Sequence, residues 1–390
     1  MNSRTRTSFG GRIHSLDGIR GVAALVVLIH HSALLFPALA ATYFTRGAST
    51  DGPLVWWLTH TPLHILWEGD GAVYIFFVLS GVVLALPFLR KPLRAKVFYP
   101  HRLLRLYLPI WAAVLFAATT VFFVPRHGDT SNEWLNARVE NVTAAILSRD
   151  LTLVRGPGGL ATPLWSLQWE ILFSLALPLY LWLALKLRGH LATKVIVLLG
   201  AISASALTDG TPELVLKYMP MFMIGVVMMA EHRTLTRWAE AAGRHSAIFP
   251  ALFVIGCVLL TTHWWVMPVS SNAVLQDAMI GPMVLGASVL IFASMYWKPL
   301  KTSLESAPAQ WLGKISFSLY LVHEPIIVTL GYIMGDQFAP LAAFLGFVLS
   351  LLLAPLFFLL VERPSHRLAK AIQTKSQART SKPELVSNSR

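Results

Sequence analysis

Two histidines, His30 and His31, close the stretch LDGIRGVAALVVLIHHS at residues 16–32, which opens on Asp17 and Arg20. An imidazole titrates near neutrality, so it can take up a proton or act as a nucleophile. On a helix at about 100° per residue, Arg20 and His31 fall within about 20° of each other, and Asp17 lies about 40° from His31. His30 turns about 80° away from Arg20, onto another face. Asp17, Arg20, Ala24 and His31 therefore share one stripe, with Arg20 and His31 about 16 Å apart along the axis. The plain alternative for a histidine in an apolar span is a hydrogen bond that ties two helices together. That is the expectation for His30, which is off the stripe.

Other ionisable groups fall in apolar surroundings. Glu170, in PLWSLQWEILF, is expected about 11 Å in from the outer face. His323 and Glu324, in LGKISFSLYLVHEPI, are expected about 14 Å in from the inner face. Pro325 follows them and removes the helical partner of the Leu321 carbonyl, so a broken helix lining a cavity is expected there. Ser316, Tyr320 and His323 share a helical face. One histidine and two carboxylates at a common depth on three spans point to a buried reaction chamber. Arg102 and Arg105, three apart in HRLLRLYLPIW, share a face at a helix start. With Arg20 they suit a phosphate-bearing ligand, whereas Arg90, Lys91, Arg94 and Lys96 read as interfacial anchors.

The elements that position these groups are membrane spans. Of 390 residues, 55% are hydrophobic and only 13% charged, about half the charged share of a soluble domain. The expected fold class is an all-α polytopic membrane helix bundle of about ten transmembrane helices. The spans are 19–41, 68–89, 103–124, 163–186, 193–207, 214–230, 247–269, 274–296, 314–334 and 338–361. The first is a poor signal peptide despite Ala38-Leu39-Ala40, because the histidine pair interrupts it and its removal would spoil the charge alternation. With the N-terminus inside, every inner segment carries at least two basic residues, while the outer segments together carry six. Both termini are thus expected to be cytoplasmic. The net charge of +13 then reflects topology and attraction to membrane lipids, and implies no nucleic acid. A cytoplasmic segment at 1–18, a membrane domain at 19–364 and a basic polar tail at 365–390, unstructured from about 371, complete the organisation. A single cysteine, Cys257, excludes a disulfide framework within the chain, and no metal site is expected. The long outer connection 125–162, with its GPGGLATP cluster, is the candidate lid or substrate-contacting loop.

Six stretches in order, LDGIRGVAALVVLIHHS, YIFFVLSG, HRLLRLYLPIW, PLWSLQWEILF, LGKISFSLYLVHEPI and VERP, resemble the acyltransferase-3 family of integral membrane acyltransferases over about residues 16–364. The resemblance implies transfer of an acyl group, often acetyl, from cytoplasmic coenzyme A to a hydroxyl. The usual acceptor is an extracytoplasmic carbohydrate or lipid-linked glycan, and in some members a macrolide or other small molecule. It implies a bacterial inner membrane, with acetyl-CoA as donor substrate and no permanently bound cofactor. The family's arginine and histidine fall on Arg20 and His31, its paired basic motif on Arg102 and Arg105, its glutamate on Glu170, and its serine-tyrosine-histidine signature on Ser316, Tyr320 and His323. Two positions depart from the pattern: His101 stands where many members carry arginine, and Tyr74 where many carry an acid. Some 29 residues follow the last span, so the soluble hydrolase-like domain of many relatives is expected to be absent.

Together these readings place coenzyme A phosphates on Arg20, Arg102 and Arg105, with pantetheine along the Asp17–Arg20–His31 stripe. The acceptor hydroxyl is expected near Glu170. His31 serves as base or acyl carrier, Glu170 or Asp17 orients its ring unless Asp17 pairs with Arg20, and Tyr320 or His323 donates to the oxyanion. A proton-coupled exporter would also place His and Glu in the membrane, but would not explain an arginine cluster aligned with the histidine.

Overall fold

The computed structural model describes residues 12–45, 47–89 and 93–380, with side chains to 374. Arg4, Arg6, Arg46, Arg90, Lys91 and the tail beyond 380 lie outside the described residues. Ten helices build the bundle: α1 (His14–Ala33), α2 (Gly69–Ala85), α3 (Ala95–Phe123), α4 (Leu164–Lys186), α5 (Leu191–Ala204), α6 (Gly210–Ala230), α7 (Ile248–Leu260), α8 (Ile280–Tyr296), α9 (Ala307–Met334) and α10 (Ala339–Phe357). Among the described residues, seven helical stretches are long and apolar enough to cross a membrane, and three shorter apolar ones, at α2, α5 and α7, fall on the remaining expected spans. Large side chains such as Leu172, Leu175, Leu179 and Trp182 of α4 stay exposed on the outside of the bundle. That is the surface a protein solvated by lipid presents.

Several boundaries move from the sequence expectation. The first span was expected to reach residue 41, but α1 ends at Ala33. Pro37 starts a separate short helix, Pro37–Ala41, as its ring demands of the chain before it. The seventh ends at Leu260, nine residues early, and the chain continues as the short helix Thr262–Val266. Pro325 does not break α9, which runs continuously through it. The tail expected to be unstructured from about 371 continues as a helix, Arg363–Thr380. Its Ala369 is fully buried, and this helix packs on α3. Tertiary packing thus fixes a segment whose polar composition alone would leave it loose.

The most extensive helix contact joins α1 and α9. A Cβ on Gly21 would collide with the backbone of Gly313, and one on Gly313 with the carbonyl of Asp17, so the two backbones touch there. Ten residues further along each helix, His31 meets His323. Both pairs keep the same sequence offset, so α1 and α9 run parallel and in step from glycine contact to histidine contact. Small residues are what let membrane helices approach this closely. Gly313→Val is therefore expected to lower the yield of folded protein and its thermal midpoint by an overpacking cost of about 1–3 kcal/mol. Activity per folded molecule should fall further, because the wedge opens the histidine pair. Unchanged specific activity in purified Gly313→Val protein would show that this contact does not set the histidine geometry.

Candidate active site

The end of the α1/α9 pair remote from Arg20 carries two facing imidazoles. His323 Nε2 lies 2.9 Å from His31 Nδ1. His323 Nδ1 lies 2.9 Å from the Leu319 carbonyl, and His31 Nδ1 lies 3.1 Å from the Val27 carbonyl. Carbonyls only accept, so His323 carries its proton on Nδ1, and Nε2 of the neutral ring is an acceptor. His31 must then donate from Nδ1, shared between His323 and Val27. Its lone pair is left on Nε2. His31 lines a cavity of about 210 Å³ with His30, Tyr43, Asp70, Arg138, Thr162 and Tyr320 among its walls. The tautomer that hydrogen bonding assigns is thus the one that presents a base to that cavity.

His30 behaves as the helix tie expected of it. Its Nδ1 lies 3.1 Å from the Trp67 carbonyl and 3.2 Å from the Tyr43 hydroxyl. Its ring stacks on Trp67 at 6.0 Å between centroids. Gly69 leaves the room for it, since a Cβ there would strike the imidazole.

The carboxylate at the level of the histidine pair is Glu324, fully buried. Its Oε1 accepts from Thr162 Oγ1 at 2.7 Å and from Arg138 Nη1 at 3.1 Å. Arg138 also donates to Thr162 Oγ1 and, through Nε, to the Trp134 carbonyl at 3.0 Å. Its guanidinium sits 5.0 Å over the Trp134 ring. The connection 125–162 therefore lines the cavity, through Trp134, Arg138 and Thr162. Two local devices hold it. Asn132 caps the short helix Glu133–Asn136 and donates from Nδ2 to the Leu34 carbonyl at 2.9 Å. Asp150 accepts from the backbone N–H groups of Gly158, Gly159 and Leu160 at 2.5, 3.3 and 3.0 Å. Burial pushes the Asp150 carboxyl up from its ordinary range, against the pull of those three donors.

Glu170 is not beside the histidines. Two hydrogen bonds fix its level: Thr162 to Glu324, and Ser166 Oγ to the Tyr320 hydroxyl at 2.7 Å. Four residues forward towards α4 match four residues back along α9. Glu170, four further on, lies level with Ser316 and hence with Ala24 of α1, about 10 Å inward of His31. The sequence expectation measured depth from an outer face at the start of α4. That start is itself sunk in the bundle, where Leu160, Ala161 and Leu164 are buried.

Glu170 instead joins the arginines. Arg102 Nη2 lies 2.5 Å from Glu170 Oε1, Arg102 Nε donates to Ser174 Oγ at 3.1 Å, and Ser80 Oγ donates to Glu170 at 3.4 Å. Arg20 lies within electrostatic reach of both Glu170 and Arg102. Asp17 pairs with Arg12 at 2.6 Å and with Arg20 at 3.7 Å. Asp17 is about 21 Å of helix away from His31 and cannot orient its ring. Arg105 belongs to the same end, near Glu362, and its Nε is buried without a hydrogen-bond partner among the described residues. Glu362, which sequence reasoning passed over, accepts from Ser318 Oγ at 2.5 Å. It closes the π-helical turn Phe358–Glu362, a local widening frequent at functional sites. Ser316 donates to its own helix at the Gly313 carbonyl, 3.0 Å away; of the expected serine-tyrosine-histidine set Tyr320 lines the cavity and His323 reaches it through its contact with His31.

The structure is thus a polytopic helix bundle in which α1 carries Arg20 of an arginine cluster towards one end and His31 of a histidine chamber towards the other. The chain belongs to the acyltransferase-3 family: it matches that family, described as an acyltransferase domain, over residues 13–359. It is similar to Acyltransferase MdmB of Streptomyces mycarofaciens, 25% identical over 347 residues that cover 84% of this chain and 82% of that protein. No solved structure matches the chain. The protein is therefore a membrane acyltransferase.

Proposed function

We propose that the enzyme moves an acyl group, in the first instance acetyl, from cytoplasmic coenzyme A to a hydroxyl of an extracytoplasmic carbohydrate or lipid-linked glycan, across a bacterial inner membrane with both termini of the chain inside. The observation that carries this reading is the alignment of two sites on α1. Arg20, with Arg102 and Arg105 nearby, lies about 16 Å from His31 along one continuous helix, a span an extended pantetheine arm bridges. Guanidinium groups are suited to the coenzyme's phosphates by their planar donor forks. Glu170 and Asp17 hold two of these forks in place until a phosphate replaces them.

The chemistry follows from the His31 tautomer. Nε2 takes the proton of the acceptor hydroxyl as the oxygen attacks the thioester carbonyl carbon. The negative charge on the former carbonyl oxygen is met by the Arg138 guanidinium, with the Tyr320 hydroxyl on the same cavity wall. The C–S bond then breaks, and the imidazolium returns its proton to the departing sulfur. An ester and free coenzyme A thiol result, with no net proton released. His323, by accepting from His31 Nδ1–H, holds the ring in register and stabilises its transient cation.

Right-side-out vesicles loaded with labelled acetyl-coenzyme A and bathed in an envelope glycan extract test the direction. Label is expected on the outside glycan, with the free thiol retained inside. Labelling that appears only when extract and donor share the inner compartment would overturn the transmembrane direction and favour a small cytoplasmic acceptor.

A further inference from the structure

A second cavity, of about 250 Å³, lies against the histidine chamber, and Tyr43 and Asp70 line both. Neither volume alone reaches the roughly 300–1,000 Å³ of sites that enclose a small molecule, whereas the two taken together do. The walls of the second cavity differ in kind from those of the first. Asp277, Gln276, His263 and Lys217 bring polar groups to it, and Trp264 and Tyr74 bring aromatic ones. Flat aromatic faces beside carboxylate and amide groups are what a polyhydroxylated ring requires. Its C–H faces lie on the rings, and its hydroxyls donate to the carboxylates.

Asp70 is the group that connects the two spaces. It stands in the first turn of α2, half-buried. Among the described residues its carboxylate has neither an ion pair nor a hydrogen-bond partner, in contrast to Glu170 and Glu324. A half-buried carboxylate without a partner is costly unless a ligand or water completes it. Neither role proposed for the inner arginines nor the tautomer chain of His31 employs it.

Resting on the acyl-transfer reading above, we infer that this second cavity is the acceptor subsite. It takes a neutral saccharide ring, and Asp70, by accepting from a hydroxyl next to the reacting one, sets which hydroxyl reaches His31 Nε2. The Asp70 carboxylate between the two cavities disfavours an anionic group beside the reacting hydroxyl. Asp70 is thus a positioning residue for the acceptor, separate from the groups that bind the thioester.

The test uses the full chain in nanodiscs with acetyl-coenzyme A and two kinds of probe acceptor, methyl glycosides of neutral hexoses and 1-octanol. Coenzyme A release dependent on a methyl glycoside is expected. Asp70→Asn should raise the glycoside KM at least tenfold, leave the acetyl-coenzyme A KM unchanged, and alter the ratio of acylated positions read by NMR. Gln276→Leu should raise the glycoside KM alone. Equal shifts for both substrates, or none, would overturn the subsite while the acyl-transfer reading stands. Transfer to octanol with none to any glycoside would overturn the saccharide class. No coenzyme A release with either probe or with an envelope extract would remove the acyl-transfer reading, and this inference with it.

Discussion

Acyl transfer by His31→Ala protein is expected to fall by about 10²–10⁴-fold, the usual contribution of a positioned general base, with normal amounts of protein in the membrane. The expectation comes from one lone pair. His323 Nδ1 faces the Leu319 carbonyl, which commits His323 Nε2 to accept and His31 Nδ1 to donate. Only His31 Nε2 is then available to a hydroxyl in the chamber. His323→Ala should cost less, because the Val27 carbonyl still accepts from His31 Nδ1. His30→Ala should mainly reduce folded yield, since His30 ties α1 to Trp67 and Tyr43, and each surviving molecule should keep most of its turnover. The measurement is initial rate per folded enzyme, with folding scored by monodisperse elution. An essential His30 beside a dispensable His31 would sink both the helical stripe and the tautomer argument.

Much of this arrangement was legible in the sequence because a straight helix converts spacing into geometry. The eleven-residue step from Arg20 to His31 gave the stripe along α1, and the same periodicity placed Tyr320 and His323 on one face. The apolar runs marked the ten helices, of which seven stretches among the described residues reach membrane length. Depth was legible only where a helix begins at the membrane face. α4 begins inside the bundle, so Glu170 was placed beside the histidines when it sits with Arg102. Whether Asp17 would orient His31 or pair with Arg20 was left open, and the rise along α1 settles it for the pair.

Of the residues that sequence reasoning missed, Glu362 closes a helical turn, whereas Arg138 and Thr162 belong to a connection. Arg138 counted only as one of six outer basic residues, and Thr162 as part of the glycine-proline cluster of a candidate lid or substrate-contacting loop. Nothing in their spacing points at Glu324, 186 and 162 residues away. The available signal was indirect. A buried carboxylate at position 324 needs a partner, and the inner basic residues are too far down the bundle to supply one. That leaves the outer connection, whose arginines are few.

Arg138→Gln is expected to lower turnover by about 10²–10³-fold, the effect of removing one oxyanion donor, while leaving acetyl-coenzyme A affinity at the inner arginines unchanged. The side chain is held from three directions before any substrate arrives: by Glu324 Oε1, by the Trp134 carbonyl and by the Trp134 ring beneath it. Donors fixed in advance stabilise developing charge without reorganising at the moment of reaction. Arg138→Lys should recover little, because an ammonium cannot hold Glu324 and Trp134 while facing the cavity. Glu324→Gln separates orientation from charge. The amide oxygen can still accept from Thr162 and Arg138, so turnover should fall less than in Arg138→Gln. Glu324→Leu removes that acceptor and leaves Arg138 buried without its counter-charge, which costs about 3–5 kcal/mol when one partner of a buried pair is lost. That variant is expected to accumulate poorly. Steady-state kinetics on the folded fraction, with kcat and both KM values resolved, distinguish the outcomes. A rise in acetyl-coenzyme A KM at constant kcat in Arg138→Gln would place Arg138 in donor binding and leave the oxyanion to Tyr320.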